Sequence, residues 1–458
     1  MRLPSDTIRY IIQFLLGEGN EHLVPRISYG ESDNPSVRMV IVPSRFFDDD
    51  IYLTVHSLPS LPLKKVEQTP LLYGTGEQER GSDGRLRIHA DLIASSWFLL
   101  TRYEEQMARS TSFDEHGRFI GKSSFAYKAG ILDTPLIDRY GVLLRSWLRS
   151  CTEEAVSEPK PSYAAVNLTT DLDAPFFCRS IRSWVRELLR ATPLRKGSGY
   201  PLIALRSILG NAQNDPYFTF PILRDLRFQL QQFLSGECTV RQWLFIRSCL
   251  PHTKDCLYDR PQYSLHEGDL QYVLDYCRNQ DIRIGLHVSY SAAGNATHLT
   301  RELSELQKEV SYPIQDIRYH YLRLPSRFSS EMTQAFAESG ITDDWSPAYA
   351  DVAGFRLGTS RPVRLMDPND GMLHSLTLHP LTVMDCTMSD PAYMHLREEE
   401  ALGYIERLAH SVRTHHGELN LLIHNHTLAN PPALARMPNN YHRRLLRSLP
   451  RTLTGTSD

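Results

Sequence analysis

The stretch TTDLDAP (169–175) sets two carboxylates, Asp171 and Asp173, one residue apart where an apolar run ends. Further along, His287 closes IRIGLH, Arg318 and His320 lie within IRYHYL, and Asp344 with Trp345 closes GITDDW. Asp385 closes LTVMD, and His424 and His426 close LNLLIHNH. A carboxylate together with neutral imidazoles is a standard ligand set for zinc or a similar divalent ion. A second carboxylate can take a proton from water that such a metal has acidified. An opposing histidine can protonate a leaving amine. Arg318 suits the orienting of the base carboxylate, and Asp344 or Asp385 suits holding the acid histidine in its charged form. These residue types together describe metal-assisted amide hydrolysis.

Such groups act together only if the chain brings their segments to one place. From Ala164 onward, strand-like runs (AAVNLTT, RQWLFIRS, IRIGLHV, IRYHYLRL, GITDDWS, SLTLHPLTVMD, LNLLIHNH) alternate with helical patterns near 265–279, 297–310, 329–339 and 396–415. That alternation predicts parallel strands joined by crossover helices. In a parallel barrel the carboxyl ends of all strands open on one face, so strand-end polar groups from distant segments converge there. Residues i and i+2 of a strand share a side, which lets Asp171 and Asp173 face one pocket. A mostly helical insertion, about 178–238, separates the first two strands and carries RSIRSWVRELLR and LRDLRFQLQQFL. Ahead of the barrel, residues 1–156 read as a smaller mixed α/β accessory domain with strand-like RMVIVP and IYLTVHSLP and the helical ADLIASSWFLLTRYEEQMAR. The Pro- and charge-rich SEPKPSY (157–163) reads as a linker, the barrel spans 164–440, and 441–458 is a C-terminal tail.

Composition narrows the function classes. A chain of 458 residues is long enough for two domains and a sizeable core. With 50 basic and 53 acidic residues its net charge is −3, which offers no electrostatic case for nucleic acid. The apolar run YIIQFLLG is about half of the roughly 20 residues a membrane span needs, and no basic leader or small-residue cleavage site accompanies it. A cytoplasmic protein without signal peptide or transmembrane segment is expected. Seven cysteines without paired spacing argue against a disulfide framework and against a cysteine zinc cluster.

From about 164 to 430 the chain resembles the polysaccharide deacetylase family (carbohydrate esterase family 4). TTDLDAP stands where that family has T-F-D-D-G, WLFI where a buried strand is expected, and GLHVSYS where H-[ST]-x-x-H is expected. RYHYL stands for R-x-P-Y, DDWS for D-W, and LLIHNH for the final L-x-H. The segments SSWFLLTRYEE, DEHGRF, GFRLGTSRP and PLTVMD are similar to those of a bacterial subgroup with an extra N-terminal domain. The resemblance implies a distorted (β/α)7 barrel and a metal-dependent hydrolase, zinc its expected ion, that removes an acyl group, N-acetyl foremost, from an amino sugar or glycan precursor. It assigns Asp171 as catalytic base, Asp173 as metal carboxylate, His287 as first metal histidine, Arg318 as the arginine beside the base, and His424 as catalytic acid. The family's two aspartates are adjacent, whereas Asp171 and Asp173 are not. Ser291 occupies the second metal-histidine position, so another donor is needed, and His320 at a neighbouring strand end is the leading choice.

Tyr290, Asp344, Trp345, Arg356 and Asp385 join as substrate-binding or supporting residues, Arg356 from the shaped loop GFRLGTSRP at the mouth. Asp344, Trp345 and Asp385 read equally well as strand-end turns and core groups. RSIRSWVRELLR reads first as a solvated helix, its basic side being the feature that would meet phosphates or anionic lipid. The replaced second histidine keeps open an alternative, a non-catalytic carbohydrate-binding or scaffold protein on a degenerate barrel. A third reading reuses the barrel to cleave a different carbon–nitrogen bond.

Overall fold

The computed structural model describes residues 1–178, 181, 185, 200–248, 257–261, 263–430 and 441–454. Six short strands come first: β1 (Ile27–Tyr29), β2 (Met39–Ile41), β3 (Lys64–Val66), β4 (Thr69–Leu71), β5 (Gly74–Arg80) and β6 (Leu86–Ala90). Four of them form a mixed sheet in the order β1-β2-β6-β5. The apolar run YIIQFLLG belongs to the helix Ser5–Leu16, which buries Ile11, Ile12, Leu15 and Leu16. The second expected helix is shorter than its apolar pattern. Asp91 caps it by accepting from the Ala94 amide, every residue of Leu92–Leu100 is buried, and left-handed Arg102 ends it. IYLTVHSLP is not a strand here: its alternation is taken up by turns and a short 3-10 segment, Val55–Ser57, capped by the Thr54 side chain.

The main sheet contains β7 (Ala165–Asp171), β8 (Thr239–Ile246), β9 (Arg283–Val288), β10 (Asp316–Tyr319), β11 (Asp343–Asp344), β12 (Val363–Met366), β13 (Leu373–Leu378), β14 (Val383–Met384) and β15 (Glu418–Leu422). Their order is β12-β13-β11-β10-β9-β8-β7-β15-β14. All neighbours run parallel except the edge pair β12 and β13. The crossover helices Gly268–Asn279, Ala296–Val310, Ser330–Ser339 and Glu398–Thr414 lie within a few residues of the expected ranges. Two strands exceed the seven expected segments. SLTLHPLTVMD divides at Pro380 into β13 and β14, which lie on opposite sides of the sheet, and β12 adds an antiparallel edge.

Strand parity sorts the side chains. Val166 and Leu168 of β7 point outward into an apolar layer with Ile405, Leu408 and Val412 of the helix Glu398–Thr414. Asn167, Thr169 and Asp171 share the inner face. The sheet curls so strongly that groups from its distant strands meet inside. Trp243 of β8 packs on Trp345, just past β11, at 4.5 Å between ring centroids. His379, following β13, reaches Asp343 of β11 at 2.8 Å and Glu418 of β15 at 2.9 Å.

The segment expected as a linker is fastened along its length. Asn20 bonds the Ser157 backbone, Arg145 pairs with Glu158 at 2.8 Å, and the Tyr163 amide donates to Glu237. The N-terminal part also shares one continuous apolar core with the barrel, from Leu15 and Trp97 to Leu357 and Leu376. The expected C-terminal tail is instead largely a helix, His442–Thr454, whose Leu445, Leu446, Leu449 and Leu453 are buried. Of the helical insertion, Tyr200–Leu209 and Phe220–Phe233 are helices, while RSIRSWVRELLR lies almost entirely outside the described residues. Among the described residues no helix is long and apolar enough to cross a membrane.

Candidate active site

Where β7 ends, Asp171 is still on the inner face, and the chain continues so that Asp173 rises over the carboxyl ends of β9 and β10. Asp173 Oδ1 lies 3.1 Å from His287 Nε2 and 3.2 Å from His320 Nε2. Ligand atoms of these three residues fall within 4.8 Å of one another, a spacing at which one ion can be held. Each imidazole is aimed by its other nitrogen. His287 Nδ1 is 3.0 Å from the Arg318 carbonyl oxygen, so it carries the hydrogen and leaves Nε2 its lone pair. His320 Nδ1 is 3.3 Å from Asp259 Oδ1, the same carboxylate–histidine arrangement. The donor set, two oriented imidazole nitrogens and one carboxylate oxygen, fits zinc or a comparable divalent ion.

Two charge pairs flank this cluster. Arg318 is fully buried, and its Nη1 donates to Asp171 Oδ1 at 3.1 Å and to Thr169 Oγ1 at 2.7 Å. Its guanidinium also sits over the Phe245 ring at 4.6 Å. That clamp fixes Asp171, whose Oδ2 lies 3.8 Å from His287 Nε2. On the other side His424 Nε2 stands 3.6 Å from Asp173 Oδ2, and its Nδ1 is 2.7 Å from Asp385 Oδ1. Asp385 is held in turn by the His424 amide and the Thr427 hydroxyl.

Electrostatics follow from burial and partners. Burial pushes the Asp173 carboxyl up, yet His320, His287 and His424 overcome it and hold the group well below the usual carboxylate range. For His424, burial favours the neutral ring, but this is outweighed and its pKa is raised well above the ordinary value, the charged partner being the Asp385 carboxylate at its Nδ1. His320 is raised as well, since Asp173 and Asp259 outweigh its burial. Burial, and then Asp385, push the Cys386 thiol up to about 12, so it stays protonated beside His424.

Asp171, Asp173, His287, Arg318, His320, His424 and Asp385 thus come together. Tyr290 lies at the rim, its amide donating to Asp259. Three expected residues sit elsewhere. Asp344 pairs in register with Ile317, so it faces outward and accepts from the Ser346 amide at 2.8 Å. Trp345 faces inward but lower, stacked on His379 at 4.0 Å, and forms the floor beneath the site. Arg356 is buried against the N-terminal part, pairing with Glu105 at 2.7 Å and donating to the Ala348 carbonyl, so its own guanidinium does not line the mouth. Sequence reasoning missed Asp259, which lies in a short 3-10 turn with no periodic signal. It also passed over Arg247, just past the end of β8, whose Nη2 donates to the Asp173 carbonyl at 2.6 Å. The strand-end rule would have flagged that arginine.

Comparison with known proteins adds the following. A family model described as a family of unknown function, DUF7033, matches residues 7–153, nearly all of the chain ahead of the 157–163 connection. Among solved structures, the chain is similar to one titled "putative polysaccharide deacetylase from Mycobacterium smegmatis", at 16% identity and TM-score 0.37. That match covers 65% of this chain and 88% of the other. A family 4 carbohydrate esterase from Streptomyces lividans, in complex with acetate, is similar at 10% identity and TM-score 0.28. It is matched over 65% of this chain and 90% of its own. No curated protein matches the chain.

Proposed function

We propose that this chain is a metal-dependent hydrolase that removes an acyl group, N-acetyl foremost, from an amino sugar or glycan precursor. The observation that carries the reading is the meeting of Asp173, His287 and His320 between two opposed charge pairs, Asp171–Arg318 and His424–Asp385. The substrate class rests on the ordered motifs from TTDLDAP to LLIHNH. Asp173, His287 and His320 would hold the ion, which when bound supplies Lewis-acid chemistry, polarising an acyl carbonyl and acidifying water.

The chain's own residues do the rest. Asp171, oriented by the Arg318 guanidinium that also bonds Thr169, accepts a proton from the attacking water. His424 holds a proton because Asp385 stabilises the charged ring, and it delivers that proton to the leaving nitrogen. The two groups lie on opposite sides of Asp173, as an acid and a base acting on one tetrahedral carbon must. The degenerate-barrel reading drew on Ser291; the second imidazole of His320, 3.2 Å from Asp173 Oδ1, supports the hydrolase reading over it.

Metal analysis of the purified full chain, paired with acetate release from an N-acetylated amino-sugar oligomer, tests the proposal. About one equivalent of divalent ion with turnover is expected. Less than about a tenth of an equivalent, with none taken up on reconstitution, would sink it.

A further inference from the structure

Next to His320 four aromatic rings pack on one another at the protein surface. His116, Tyr258, Tyr290 and Tyr321 lie in mutual contact, with centroid separations from 4.5 Å (Tyr258–Tyr290) to 5.8 Å (His116–Tyr290). Tyr321 also contacts the His320 ring at 4.7 Å, which makes the cluster continuous with the candidate metal ligands. Rings so packed in a core would be closed to water. Here Tyr258 is 39% exposed, Tyr290 and Tyr321 are half-buried, and the His116 side chain is 10% exposed.

The arrangement is held at a cost in backbone strain. Tyr321 and Leu322 both adopt left-handed φ values, 62° and 53°, where side-chain-bearing residues are disfavoured. Arg118 Nη1 bonds the Tyr321 carbonyl at 2.9 Å while its Nη2 pairs with Asp114 at 2.7 Å. Arg323 lies over the Tyr290 ring at 4.3 Å and donates to the carbonyls of His116 and Tyr290 at 2.9 and 2.8 Å. His116 and Arg118 belong to residues 7–153, the segment matched by the family of unknown function. Both arginines are tied to the rim's own carbonyls, and with Arg323 over the Tyr290 ring the most exposed ring of the cluster is Tyr258.

We infer that these four rings form a saccharide-stacking subsite, and that residues 114–118 of the N-terminal part complete it through His116. Aromatic faces with hydroxyl edges fit the apolar face of a sugar ring, and the position beside His320 suits a residue adjoining the reacting unit. The N-terminal part thereby has a stated role: it supplies one wall of the substrate site. Burial, reinforced by Arg118, lowers the His116 pKa, consistent with an uncharged wall. The inference deepens the amino-sugar reading above and rests on it.

The test is calorimetric titration of a β-1,4-linked N-acetylglucosamine tetrasaccharide into the zinc-loaded full chain carrying Asp171→Asn, which prevents turnover during the measurement. Tyr258→Ala on that background should weaken Kd roughly tenfold, and His116→Ala at least about fivefold. Tyr258→Phe, which keeps the ring, should restore binding. Metal content and the thermal midpoint should stay at the parent values in all three. A Kd within about twofold of the parent for both alanine variants overturns the inference. So does a parent that does not bind the tetrasaccharide. Failure of the hydrolase reading shows elsewhere, as missing turnover in the unsubstituted chain, and leaves the Kd comparison interpretable.

Discussion

His320 Nδ1 lies 3.3 Å from Asp259 Oδ1, and the same carboxylate accepts the Ser291 hydroxyl at 3.0 Å through Oδ2. Ser291, standing where a second metal histidine was expected, thus helps hold the carboxylate that aims the histidine actually present. Asp259→Asn should therefore lower divalent-metal affinity by about 10–100-fold without unfolding the protein. His320→Ala should lose the metal. Competition against a chromogenic chelator reads both, and wild-type affinity in either variant would remove that residue from the assigned role.

Asp171 is fixed by Arg318 and holds no place among the three candidate ligands. Asp171→Asn should keep close to one equivalent of metal while kcat falls by about 10²–10⁴-fold, the usual worth of a positioned general base. Loss of metal and activity together would instead mark Asp171 as a ligand. The matching acid-side variant, His424→Ala, should show a drop of the same order.

Much of this site was legible in the sequence because parallel strands end on one face, so Asp171, His287 and Arg318 needed only correct strand assignment. His320 was found by the same rule, although it opens a 3-10 turn rather than ending the strand. Asp344 was misplaced by parity. DDW reads as a strand end, but its register with β10 sends Asp344 outward and leaves Trp345 on the floor. Arg356 failed for a different reason: its partner, Glu105, is 251 positions away, and no local pattern announces a tertiary ion pair. The expected tail failed because α-helical periodicity in HRRLLRSLPRTLT was masked by its many arginines and by Pro450.

At the opposite end of the barrel from the candidate site, His379 joins Asp343 and Glu418 across the curled sheet and stacks on Trp345. Burial disfavours its charged form, but Asp343 and Glu418 outweigh that and raise its pKa from 6.5 to about 9. A raised folded-state pKa means the stabilisation is fully present below about 6.5 and is lost as pH rises through about 9. The interaction of His379 with its two carboxylates is worth on the order of 3 kcal/mol. Urea unfolding from pH 6 to pH 10 should show that decline, and His379→Gln should flatten it. An equally steep decline in the variant would reject the assignment.

Arg356 and Glu105 form a buried pair between the barrel and the N-terminal part, with Arg356 also over the Tyr349 ring at 4.9 Å. Arg102 Nη1 lies 3.3 Å from the same Glu105 carboxylate. Removing Glu105 thus strands two buried guanidiniums, a loss of about 3–5 kcal/mol, whereas removing Arg356 leaves Glu105 one partner and costs less. Glu105→Gln should therefore lower the unfolding free energy by that amount, and Arg356→Met by less. Replacing both still leaves Arg102 without its carboxylate, so the double variant should stay close to Glu105→Gln in stability. If Arg356 instead bound substrate, the single variant would raise KM at unchanged stability. Denaturation and steady-state kinetics on the same preparations separate a structural ion pair from a substrate contact, and the geometry requires the first.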